Sequence, residues 1–95
     1  MARTIVWSPR AADSLEEICA YIARDSEHYA SLFAQRILAA VEDLIDLPEI
    51  GRVVPEFNDP LLRERIVGHY RVVYRLLPGA IQVLVITHGS RMLKL

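Results

Sequence analysis

The sequence has one cysteine, one lysine and no apolar run of transmembrane length. Each scarcity excludes something. Cys19 alone can form no internal disulfide and no multi-cysteine zinc site. A reducing cytoplasm is therefore the expected compartment. A membrane helix needs roughly 18–20 consecutive apolar residues, and no such stretch occurs. The opening Met1-Ala2-Arg3 leads into a strand-like Thr4-Ile5-Val6-Trp7 and then a proline, which is not the pattern of a signal peptide. There are four glycines and no glycine-rich phosphate loop. His28, His69 and His88 show no metal-ligand spacing, so neither a metal nor a cofactor is expected. No internal repeat or low-complexity segment interrupts the chain.

What remains is an ordinary globular composition over 95 residues, 53% apolar and 24% charged. That length corresponds to one domain spanning residues 1–95. The net charge of −1 hides an asymmetry. Residues 1–49 carry four arginines against nine acids, a net of −5. Residues 50–95 carry six arginines and Lys94 against Glu56, Asp59 and Glu64, a net of +4. Arginine offers a planar fork suited to phosphate and carboxylate, so the second half is the candidate surface for an acidic partner.

Ser8-Pro9 reads as a helix start, with serine as N-cap and proline at the first helical position. Ala11, Leu15, Ile18, Cys19 and Ile22 then line one helical face. Cys19 thus reads as a core residue. Ser26 caps a second helix, whose apolar stripe is Phe33, Ile37, Ala40, Val41 and Leu44 and which ends at Leu47-Pro48. Residues 48–60 read as a loop. Leu61–Val67, Tyr70–Leu77 and Ala80–Thr87 read as strands, separated at hairpin spacing by Gly68-His69 and Pro78-Gly79. The predicted class is α+β: an N-terminal strand, then an antiparallel helical hairpin packed on one face of a mostly antiparallel sheet of about four strands. The other sheet face is expected to be open and arginine-bearing. The expected core joins Leu15, Ile18, Phe33, Ile37, Val41 and Leu44 to Val73, Val83 and Val85.

Strand alternation puts Arg63 and Arg65 on one face of their strand and Arg71 on the Val73 face of the next. Convergence of Arg63, Arg65, Arg71 and Arg91 on one concave surface would make a phosphate or target site. His88, at a strand end, has the chemistry of a general acid or base, as well as that of a simple surface residue. Glu56 is either a base or an ion-pair partner of Arg71.

These residues, in order, resemble the RelE/ParE superfamily, the toxins of type II toxin–antitoxin systems. The resemblance runs from Trp7-Ser8-Pro9-Arg10-Ala11 through Leu47-Pro48-Glu49-Ile50-Gly51-Arg52 and Val54-Pro55-Glu56-Phe57. It continues through Arg63 and Tyr70-Arg71-Val72-Val73-Tyr74-Arg75 to His88-Gly89-Ser90-Arg91. It implies a growth-arresting toxin neutralised by a cognate antitoxin in a hetero-oligomer, away from any membrane. An antitoxin segment that is acidic and amphipathic would suit the basic half. The long hairpin and the pI near 6.3 look more like ParE and plasmid-stabilisation proteins, which inhibit DNA gyrase and are not known as nucleases. The alternative is a RelE-like, metal-independent endoribonuclease cutting mRNA on the ribosome. For that case Glu56, Arg71 and His88 match the glutamate, arginine and histidine of a YoeB-like site. With one hairpin residue deleted here, Arg63 and Arg65 fall where RelE has two alternating lysines, and an arginine there cannot exchange a proton. A non-toxic binding module is the third reading.

Overall fold

The computed structural model describes residues 3–95. The N-terminal strand β1 (Thr4–Trp7) leads into α1 (Pro9–Ala23) and α2 (Glu27–Glu42), with a 3-10 turn at Asp43–Ile45. Four strands follow: β2 (Arg52–Val53), β3 (Leu62–Val67), β4 (Tyr70–Leu77) and β5 (Ala80–His88). Both expected caps form. Ser8 Oγ accepts from the Ala11 N–H at 3.0 Å, and Ser26 Oγ accepts from the Tyr29 N–H at 3.1 Å. Each satisfies an N–H that the first helical turn leaves without a partner.

The sheet has five strands in the order β1-β5-β4-β3-β2. This corrects the expected four: the 48–60 loop contains the two-residue β2, antiparallel to β3. β1 runs parallel to β5, and the remaining pairs are antiparallel. The apolar β5 therefore lies inside the sheet, as its composition predicts. Gly68 and Gly79 hold positive φ of 59° and 70° in the two hairpin turns, where a side chain would be strained.

The helices cover one face of the sheet. Ala11, Ile37, Ala40 and Val41 pack there against Val67, Val72, Val83 and Ile86. Phe33 is half-buried at the margin of this core, edge-on to Tyr70 at 5.0 Å. Val73 and Val85 do not join it. They lie on the opposite face with Val54, Leu62 and Leu93. A bulge explains the correction. Tyr74 pairs with Val83 but Val73 pairs with Val85, so Leu84 is skipped and the facing of β5 flips. The second face is also not left open. Val54, from the 48–60 loop, and Leu93, from the C-terminal tail, are buried against it.

α1 secures the bulge. The Ser8 N–H donates to the Val83 carbonyl at 2.9 Å, and Ser8 Oγ donates to the Leu84 carbonyl at 2.9 Å. Further along β5, Ser14 Oγ accepts from the Ile86 N–H at 3.0 Å. Cys19 is half-buried on α1, where burial pushes its thiol pKa up. None of the helices among the described residues is long and apolar enough to cross a membrane.

Candidate functional site

Arg71 lies on the sheet face away from the helices, 4% exposed. Its Nε donates to Glu64 Oε1 at 2.7 Å, and Nη2 lies 2.6 Å from the same oxygen as part of the ion pair. Nη1 and Nη2 donate to Glu56 Oε2 and Oε1, each at 2.7 Å. Nη1 also donates to the Arg91 carbonyl at 3.1 Å. A guanidinium has five N–H groups, and four of them are engaged in these hydrogen bonds. Glu64, 1% exposed, is held from its other side by Arg52, whose Nε and Nη2 both lie 2.6 Å from Oε2. Two arginines and two glutamates thus form a neutral chain. Glu64 and Arg71 can be buried because each has the other's opposite charge at hydrogen-bonding distance.

Arg71 holds the Glu56 carboxyl down to about 2, and the Leu93 N–H, 2.8 Å from Oε2, pushes it the same way. The Arg71 guanidinium is correspondingly raised, chiefly by Glu56. The sign for stability follows. A carboxyl depressed on folding contributes stability that is fully present above its unfolded pKa of 4.5 and is lost as pH falls toward about 2. Urea midpoints measured from about pH 5 down to about pH 3 should fall. The slope should be shallower in Glu56→Gln. An identical acid slope in that variant would refute the assignment to Glu56.

The four arginines do not converge. The two-residue turn sets Val67 opposite Tyr70 and hence Ile66 opposite Arg71, while Arg65 faces Val72 and Arg63 faces Tyr74. Directly paired residues share a face, so Arg63 and Arg65 sit on the helix side and Arg71 on the other. Arg65 Nη1 donates to the Ala40 carbonyl and to Asp43 Oδ2, both at 3.0 Å. That places a cation at the C-terminal end of α2, where the helix dipole favours it. Arg63 donates to the carbonyls of Pro60 at 2.9 Å and Gly51 at 3.2 Å. Arg91 is exposed, and no ion pair holds its guanidinium among the described residues.

His88 also parts from Glu56 and Arg71. It is opposite Tyr70, whereas Thr87 is opposite Arg71. Its ring therefore turns to the helix side, 5.6 Å from the Tyr70 ring and 6.3 Å from the His69 ring. Nδ1 accepts from the Ser90 N–H at 3.2 Å and lies 2.7 Å from Ser90 Oγ. Of the proposed trio, only Glu56 and Arg71 meet, as a closed ion pair. Sequence reading did not single out Glu64. The signal was the hairpin register, which puts Glu64 diagonal to Arg71 on the same face.

A two-helix hairpin on a mixed five-strand sheet is the fold class of the RelE/ParE toxins. The family model described as "ParE toxin of type II toxin-antitoxin system, parDE" matches residues 5–93. The chain belongs to this toxin family. It is 32% identical over 89 residues to Toxin RelE2 of Caulobacter vibrioides, covering 93% of this chain and 97% of that protein. Its fold is similar to a chain of the chromosomal ParDE system of P. aeruginosa, with TM-score 0.74, 22% identity, and 90% and 95% of the two chains covered. It is also similar to a mutant E. coli toxin RelE in the free state, with TM-score 0.67, 14% identity, and 95% and 86% covered.

Proposed function

We propose that this toxin arrests growth by binding its target without cutting RNA, that the target is DNA gyrase, and that it acts in the cytoplasm under control of a cognate antitoxin. The observation that carries the non-nucleolytic reading is the state of Arg71. A phosphate clamp needs guanidinium N–H groups to offer, and both Glu56 and Glu64 occupy them. Two further features agree. A base works best with a pKa near the operating pH, and Glu56 is held to about 2. The acid candidate, His88, turns to the other sheet face.

The likeness to a protein named Toxin RelE2 favours ribosome-dependent mRNA cleavage as the second reading. One paired assay separates the two. Purified toxin is expected to inhibit gyrase-driven supercoiling and to leave mRNA intact on translating ribosomes. Cleaved mRNA with normal supercoiling would establish the second reading instead.

A further inference from the structure

β1 pairs with β5 only over Ala80–Val83, while β5 continues to His88. Beyond Val83 no strand among the described residues covers that edge, and α1 stands across from it. Ser8 and Ser14 satisfy the Leu84 carbonyl and the Ile86 N–H. Because the Ile86 N–H points outward, strand alternation sends the Ile86 carbonyl and the His88 N–H outward too. These two groups border a cleft of about 510 Å³ between α1 and the end of β5.

The α1 wall of the cleft is Ser14, Glu17, Ile18 and Tyr21, positions that follow one another along one helical face. Tyr70, Ile86 and His88 form the opposite wall, and Arg91 closes one end. Glu17, Tyr21 and Arg91 are exposed, and neither Glu17 nor Arg91 has an ion-pair partner among the described residues. Arg91 also borders the recess on the other sheet face, beside Pro55 and Met92.

We infer that this cleft receives an extended segment of the antitoxin, which adds to the outer edge of β5 at Ile86–His88 and sets an acidic side chain against Arg91. This rests on the toxin–antitoxin pairing proposed above. Three features select that occupant. Open strand groups recognise extended backbone by completing its hydrogen bonds. The cleft is confined between a helix and a strand edge, so it admits a chain that is unfolded before binding and orders there. The charges call for an acid opposite Arg91, while Glu17 opposes a polyanion such as nucleic acid. The apolar walls offer an anchor for one apolar side chain of the segment. The far face of the sheet is less available, because Leu93 is buried in it and Arg71 and Glu56 hold the tail backbone.

The test uses the full toxin and its purified cognate antitoxin. Affinity is measured for the parent and for Arg91→Glu, whose fold is checked by circular dichroism, with Arg36→Glu on α2 as a distant charge control. Amide exchange at His88 is read with and without antitoxin. Arg91→Glu is expected to weaken binding at least about tenfold, with Arg36→Glu near the parent, and antitoxin is expected to slow exchange at His88. Either an Arg91→Glu affinity within about twofold of the parent or an unchanged His88 exchange overturns the inference, while parental binding keeps the pairing intact. A parent that does not bind the antitoxin overturns the pairing itself.

Discussion

Replacing Arg71 with alanine is expected to cost about 3–5 kcal/mol, the range for removing one partner of a buried ion pair. A small domain has only about 5–15 kcal/mol in total, so the variant should be close to unfolding. The cost arises on Glu64, which is 1% exposed and would retain only Arg52, a residue whose own side chain is 61% exposed. Loss of the ties to Glu56 and to the Arg91 carbonyl also frees the loop and the tail. Urea unfolding of the purified variant checks the magnitude. Neutralising the group together, as Arg71→Met with Glu56→Gln and Glu64→Leu, should recover much of the loss, since apolar replacement of a whole buried ion pair is often neutral. Loss of toxicity in Arg71→Ala is therefore no sign of catalysis unless the variant is shown to be folded. An Arg71→Ala protein as stable as its parent would overturn this account of the site.

The second large effect is expected at Gly51. A Cβ there would lie 2.5 Å from the Tyr74 hydroxyl and 2.6 Å from the Glu64 carbonyl, closer than atoms can approach without moving the backbone. Tyr74 is 0% exposed. Its hydroxyl accepts from the Gly51 N–H at 3.0 Å and donates to the Pro48 carbonyl at 2.8 Å. This pair of bonds pins the Leu47–Arg52 junction to the sheet. Gly51→Ala should cost about 1–3 kcal/mol from overpacking, and more if the Tyr74 bond is lost as well. Combining it with Tyr74→Phe should cost less than the sum of the single changes, because both act on one contact. Strict additivity in urea unfolding would show that the two residues do not interact.

The helical layer was legible because local signals agree with the packing. Ser8 and Ser26 cap where serine should, and Ile37, Val41 and Leu44 fall on the buried stripe. Strand positions were legible from β-rich runs and turn residues, but facing was not. A single skipped residue, Leu84, reverses every later side chain of β5, and alternation along a sequence carries no mark of it. β2 is two residues long, too short for any periodicity. The site failed for a related reason. Glu56, Arg71 and His88 have the residue types of an acid–base site, but which face each takes depends on register, and whether a charge is free depends on the partners that folding brings. Glu64, which enters the sequence reading only as one of the three acids of residues 50–95, proves to be the carboxylate that Arg71 shares with Arg52.

The central claim is that Glu56 and Arg71 hold the fold together and that His88 stands apart from them. Growth arrest on induction of His88→Ala, without antitoxin, tests it most directly, because His88 is exposed and its truncation should leave the fold intact. The account predicts arrest at the parent's potency. A loss of about 10²-fold or more, the scale of a general acid or base, in a protein shown to be folded would contradict it.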